Sequence, residues 1–184
     1  MHKMKIHFQT ERFVIRDIED YDLDGMFEMD SNPNVHKFLG NKPITKPEEA
    51  EEIIKNIKWQ YEKVGIGRWA IADKNSDEFI GWTGFKREEK LRPDRVYIDL
   101  GYRLREKYWG QGIATETALA CLDYGFKNLN FQEIYACADI DHNASNKILK
   151  KIGLKYIEDF EFEGDKLHWY GIKLTEWKTK QIIK

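Results

Sequence analysis

The segment from Leu100 to Glu116 constrains this chain more than any other. A strand-like run, Val96 to Leu104, passes through Arg105-Glu-Lys-Tyr-Trp109 into Gly110-Gln-Gly112, and a long amphipathic helix follows from Gly112 to Lys127. Glycine at 110 and 112 removes side chains where the chain turns, so successive backbone N–H groups can converge on one anion. The first N–H groups of a helix have no partner within it, and the helix dipole adds about half a positive charge there. Strand, amide nest and helix in this order form a phosphate-binding device.

The 184 residues suffice for one sizeable core and are read as a single domain, 1–184. Thirty Lys and Arg stand against 32 acids, a net charge of −2, so a generic nucleic-acid binder with a basic face is not expected. The most basic stretch, Lys86 to Arg95, is interrupted by acids and reads as a solvated hairpin loop. Cys121 and Cys137 lie in apolar patterns with no metal-ligand spacing, so no metal is expected. No signal peptide is evident, and no apolar run approaches the ~18 residues of a membrane span. With no disulfide framework, the expected location is the cytoplasm, with neither membrane nor specific nucleic acid as a partner.

Phe13 to Asp17 suits an opening strand, and Asp20 to Asp30 a helix with Leu23, Met26, Phe27 and Met29 near one face. Thr45-Lys-Pro-Glu48 reads as a capping box starting a helix from Glu48 to Val64, with Gly65 as its stop. Arg68–Asp73 and Phe79–Phe85 read as strands around a polar turn. Gly101, isolated inside the next strand, marks a bulge or a close approach. Ala114, Ala118, Cys121, Leu122 and Gly125 are the inward positions of the helix that follows. A strand from Glu133 to Ile140, a helix near Ala144 to Ile152 and a closing hairpin, Lys155–Glu163 with Lys166–Leu174, complete a mixed α/β pattern.

Lys107-Tyr-Trp-Gly-Gln-Gly112 resembles the acyl-CoA-binding motif of the GNAT acetyltransferase superfamily, Gln/Arg-x-x-Gly-x-Gly/Ala, with Lys107 in place of Gln or Arg. Tyr-Trp-Gly-x-Gly-x-Ala-Thr-Glu is similar to the Rim-type branch of ribosomal-protein N-acetyltransferases. Thr10-Glu-Arg-Phe-Val-Ile-Arg16 resembles that branch's opening strand, and Asn32-Pro-Asn-Val-His-Lys-Phe-Leu39 its early substrate-side segment. Ala144-Ser-Asn-Lys-Ile-Leu-Lys-Lys-Ile-Gly-Leu154 resembles its closing helix and turn, so the likeness spans about residues 8 to 174. It implies an α/β GNAT fold: a mixed, mostly antiparallel sheet of about seven strands, splayed between the fourth and fifth and flanked by helices.

The resemblance also implies acetyl-CoA as co-substrate and N-acetyl transfer to a primary amine in a ternary complex. The backbone of Tyr102 and Leu104 would hold the pantetheine arm as an added strand would. The amides of Gly110, Gln111, Gly112, Ile113, Ala114 and Thr115 would hold the diphosphate, with Lys107 and Trp109 framing the loop. At the exit of the fifth strand the family places Asn three residues before a Ser. His142 occupies that register and Asn143 follows it, so either side chain is a candidate for the pantetheine.

Acetyl transfer needs a proton taken from the ammonium, donors for the oxyanion and a proton for the thiolate. Asp99, two residues before Gly101, stands where the branch has Glu and is the candidate general base, through water; the alternative is a solvent-facing strand carboxylate. Many relatives place a Tyr acid where this chain has Leu149, so Ser145 is the candidate near the thioester sulfur, or else a capping hydroxyl. Lys147, Lys150 and Lys151 are candidates for the terminal phosphates or a solvated face.

A protein N-terminal amine, with a pKa near 7.7–8.0, is roughly one-third neutral at pH 7.5, against about a thousandth of a lysine. A modest base therefore suits a protein N-terminus as acceptor. The alternatives are a small amine (polyamine, amino acid or aminoglycoside) or a non-catalytic acyl-CoA sensor. Trp59, Trp69, Trp82, Phe85 and Trp169, with His36 or His168, are either an acceptor pocket or core residues. The expected assembly is a monomer or homodimer.

Overall fold

The computed structural model describes residues 4–182. One eight-stranded sheet in the order β1-β2-β3-β4-β5-β6-β8-β7 organises it. The strands are β1 Ile6–Gln9, β2 Phe13–Arg16, β3 Arg68–Asp73, β4 Phe79–Glu88, β5 Tyr97–Leu104, β6 Glu133–Asp139, β7 Lys155–Phe162 and β8 Asp165–Lys173. The helices are α1 Leu23–Asp30, α2 Pro33–His36, α3 Pro47–Val64, α4 Ile113–Lys127, α5 Asn143–Ile152 and α6 Leu174–Ile182. None is long and apolar enough to cross a membrane among the described residues.

The strand count is eight, against the seven expected, because β1 adds an edge. That strand is only four residues long, and its His7 stacks on Trp69 with ring centroids 4.2 Å apart while pairing with Asp17 at 2.8 Å. So short a strand with a histidine facing inward gives no apolar alternation to read.

Alternation along β3 serves two cores. Trp69 and Ile71 join Phe85, Leu100, Ala118, Cys121 and Leu122 in the cluster shared with α4 and α5. Ala70 joins Met26, Met29, Ile54 and Ile57 in the cluster shared with α1 and α3. The small inward residues of α4 let it lie close: a Cβ added to Gly125 would stand 2.6 Å from the Phe85 ring.

The start of α3 differs by one residue from the expected capping box. The helix begins at Pro47, whose missing N–H costs nothing in the first turn. Glu49, not Glu48, reaches back to the N–H groups of Thr45 and Lys46, each at 2.9 Å. Gly65 ends this helix in the left-handed region, φ 79°, as expected.

Six pairings are antiparallel, four joining β1 to β5 and two joining β6, β8 and β7, and the two halves meet at a parallel contact between β5 and β6 with one register pair, Asp99 with Tyr135. Beyond Asp99 the two strands diverge. The expected splay lies there, between the fifth and sixth strands once β1 is counted.

Candidate active site

The gap between β5 and β6 sets which backbone groups are presented. Arg105 donates its N–H to the Ile80 carbonyl at 3.0 Å, and the β4–β5 register runs without a shift from that end to Tyr97. In an antiparallel ladder the pairing groups alternate sides. Arg103, Gly101 and Asp99 therefore turn theirs to β4, whereas Tyr102 and Leu104 turn theirs to the gap. The Leu104 carbonyl there accepts the Trp109 indole N–H at 3.0 Å, which pins the loop to the strand end.

A short 3-10 turn, Glu106–Tyr108, leads into the loop. Gly110 (φ 73°) and Gly112 (φ 76°) are both left-handed, which glycine alone adopts at little cost. Gly112 is the N-cap of α4 and brings no capping side chain. Glu116 N–H is the first to bond back, to the Gly112 carbonyl at 3.0 Å, so the N–H groups of Ile113, Ala114 and Thr115 have no partner within the helix. A Cβ on Gly110 would meet nothing within 4 Å, so the loop faces open space. Lys107 turns its ammonium to Glu78 at 3.1 Å, and its carbonyl accepts the Gln111 side-chain amide at 3.1 Å.

Across the gap, α5 begins at N-cap His142, with Asn143 exposed beside it. His142 is half-buried against Phe38, ring centroids 4.4 Å apart, and burial lowers its pKa. Ser145, in the first turn, is buried, and its hydroxyl lies 3.0 Å from the Tyr102 phenol. That phenol also donates to the Ser145 carbonyl at 3.3 Å, so one tyrosine ties β5 to α5. Burial pushes its pKa up, and it stays protonated across the physiological range. Asn146 braces the turn from beneath, donating to the carbonyls of Asp139 (2.8 Å) and His142 (3.1 Å) and accepting from Tyr170 (2.8 Å).

Asp99 is buried and paired with Arg68. Arg68 also donates to the Asp99 carbonyl at 3.0 Å and the Gly84 carbonyl at 2.7 Å. Arg68, Gly84 and Gly101 are register partners on adjacent strands, and a Cβ on Gly101 would lie 2.8 Å from the guanidinium. Gly101 is thus the room that lets Arg68 cross the sheet to Asp99. Burial raises the Asp99 pKa, and the Arg68 charge and hydrogen bond oppose that rise without cancelling it.

Trp82 lies between two guanidinium groups, Arg68 and Arg103, each 5.2 Å from its ring centroid. Arg103 pairs with buried Asp30 at 2.6 Å, and His36 stands 3.6 Å from the same carboxylate. Of the other aromatic candidates, Trp69, Phe85 and Trp169 are core residues and Trp59 is exposed on α3. His168 sits on β8, 2.5 Å from Asp159. Cys121 is buried and Cys137 half-buried, and burial pushes both thiols up. No group of three His, Cys, Asp or Glu residues able to hold a metal occurs among the described residues.

Residues 12–155 match the family model for the acetyltransferase (GNAT) domain. The chain belongs to the GNAT acetyltransferase family. This GNAT enzyme is 32% identical over 148 residues to the uncharacterized N-acetyltransferase YoaA of Bacillus subtilis, covering 80% of this chain and 81% of that one. Its fold is similar to that of RimL, a ribosomal L7/L12 alpha-N-protein acetyltransferase, with TM-score 0.78 at 16% identity, covering 94% and 96% of the two chains. It is also similar to a spermidine N-acetyltransferase from Vibrio cholerae solved with CoA and spermine, with TM-score 0.75 at 17% identity, covering 90% and 98%. The GNAT enzyme is an acetyl-CoA-dependent N-acetyltransferase.

The sequence pointed to Tyr102 only for its backbone and to no site role for Arg68, Arg103, Asp30 or Phe38. Gly101 was the available signal for Arg68, since a glycine inside a strand marks something passing close by.

Proposed function

We propose that this GNAT enzyme acetylates the α-amino group of a protein N-terminus, by direct attack on acetyl-CoA in a ternary complex. The observation that carries this reading is the pairing of Asp99 with Arg68 beside the gap. A carboxylate already held by a guanidinium gives modest help in removing a proton, and an α-amine needs the least help of the biological amines. The charges near it are also matched: Arg68 with Asp99, Arg103 with Asp30. A polyamine, carrying several ammonium groups, is better served by carboxylates that lack such partners.

In this reading the main-chain N–H groups from Gly110 to Thr115 take the diphosphate of acetyl-CoA, and the Tyr102 and Leu104 backbones pair with the pantetheine arm. His142 or Asn143 meets that arm where it enters the gap. The neutral amine attacks the thioester carbonyl carbon, and its extra proton passes through water to Asp99. The C–S bond then breaks, and the departing thiolate is met by the Ser145 hydroxyl, itself backed by Tyr102. High thiol pKa values at Cys121 and Cys137 disfavour an acyl-cysteine intermediate.

A small-molecule amine is the second reading, favoured by the fold likeness to the spermidine enzyme. Thiol release from acetyl-CoA, measured against N-terminal peptides, spermidine, amino acids and aminoglycosides, separates the two. The proposal expects the highest kcat/KM on peptides and intersecting initial-velocity lines. A higher kcat/KM on spermidine overturns the acceptor. Parallel lines overturn direct transfer, and coenzyme binding with no product on any amine overturns turnover.

A further inference from the structure

The contact between the β1–β2 turn and the start of α4 has no part in the chemistry described so far. Arg12 lies 104 positions before Glu116, yet its Nε donates to that carboxylate at 2.8 Å and its Nη2 lies 2.7 Å from the same oxygen. Arg12 N–H adds a third, longer bond to Glu116 at 3.3 Å. The same Nη2 also donates to the Gln111 carbonyl at 3.2 Å. Burial raises the Glu116 pKa, but the hydrogen bonds from Thr10 and Arg12 outweigh it and hold the carboxylate below its usual range.

Glu116 sits in the first turn of α4, beside the N–H groups assigned to the diphosphate. A bare carboxylate there competes for the positive end of the helix and repels an incoming anion. Arg12 cancels that charge. It also aims the loop: in a planar trans peptide the N–H of Gly112 points opposite to the Gln111 carbonyl. With that carbonyl drawn toward Arg12, the Gly112 amide is directed away from it.

We infer that Arg12 is a positioning residue for the coenzyme, acting through Glu116 and Gln111 to make the α4 N-terminus fit to receive a diphosphate. This rests on the reading that the loop binds acetyl-CoA. Both side chains are partly exposed, 42% for Arg12 and 25% for Glu116, so the pair adds little to folding stability. Arg12 also borders a cavity of about 460 Å³ with Tyr108, Gln111 and Ile113, so a shorter side chain leaves the core intact.

The test is a mutant cycle of Arg12→Met, Glu116→Gln and the double variant, each checked for folding by thermal unfolding. Arg12→Met is expected to raise the KM for acetyl-CoA about five- to tenfold, as an uncancelled charge near two phosphates requires. The amine KM should stay put, and added salt should shrink the defect. The double variant should recover most of the coenzyme KM, because the repelling charge is gone. An unchanged coenzyme KM in Arg12→Met, or a double variant no better than the single one, overturns the inference. Wild-type protein that fails to bind acetyl-CoA in calorimetry overturns instead the loop assignment on which it rests.

Discussion

The Tyr102 phenol and the Ser145 hydroxyl lie 3.0 Å apart and join β5 to α5 across the gap where the sheet divides. The pair places a hydroxyl at the mouth of the gap while the Tyr102 backbone faces into it. Ser145 lies in the first turn of α5, behind N-cap His142, and its hydroxyl turns to Tyr102.

Ser145→Ala should lower kcat about 10²-fold with little change in the acetyl-CoA KM, as expected for a donor used as the thiolate departs. Tyr102→Phe should cost less, about tenfold, because the serine hydroxyl remains. Steady-state kinetics at saturating amine check both. Full activity in Ser145→Ala assigns the hydroxyl to holding the fold.

Arg68 and Asp99 separate function from stability. Asp99→Asn should lower kcat about 10²-fold while coenzyme affinity stays similar. Arg68→Met leaves a buried carboxylate without its partner and should destabilise the protein by about 3–5 kcal/mol. The double variant should regain most of that stability and none of the activity. Urea unfolding beside kcat for all three variants measures this, and a fully active Asp99→Asn removes Asp99 from the mechanism.

Gly112→Ala imposes a left-handed φ on a residue with a Cβ, at a cost of about 1–2 kcal/mol. If the loop relaxes to relieve that strain, its amides no longer converge. The acetyl-CoA KM should rise about tenfold. Asn41, also at positive φ but outside the loop, serves as a control: Asn41→Gly should leave the coenzyme KM unchanged.

His36 gives the stability a pH dependence. Burial, and then the Arg103 charge, lower its pKa against the pull of Asp30. Neither ring nitrogen has a hydrogen-bond partner. The unfolded chain therefore binds this proton first, near pH 6.5, so the folded state is favoured above that pH and loses ground as the pH falls through it. Burial lowers His142 in the same sense. The Tm should fall between pH 7 and pH 5, and His36→Gln should lose less over that interval than the wild type. Equal losses contradict the assignment.

What could be read from the sequence was local. The Gly110–Gly112 loop, the stop at Gly65, the inward face of α4 and the strands from Arg68 to Leu104 all follow from spacing within a few residues. β4 runs on to Glu88 because that carboxylate is drawn in by Lys86 and the N–H groups of Glu89 and Lys90, a pattern that reads as a polar loop. The pairings that shape the site are not local. Arg68 meets Asp99 only because three strands pair in register and Gly101 clears the way. Arg12 finds Glu116 only once the β1–β2 turn is brought against α4. A Thr10-x-Arg12 pattern and a Glu at 116 give no sign, in one sequence, that they belong together.

The most direct measurement is a titration of the isotopically labelled protein with coenzyme A, following the backbone amide resonances. Saturable shifts led by Gly110, Gly112, Ile113, Ala114 and Thr115 are expected, with smaller ones at Tyr102. Saturable binding that moves resonances elsewhere and leaves those of the loop in place would contradict it.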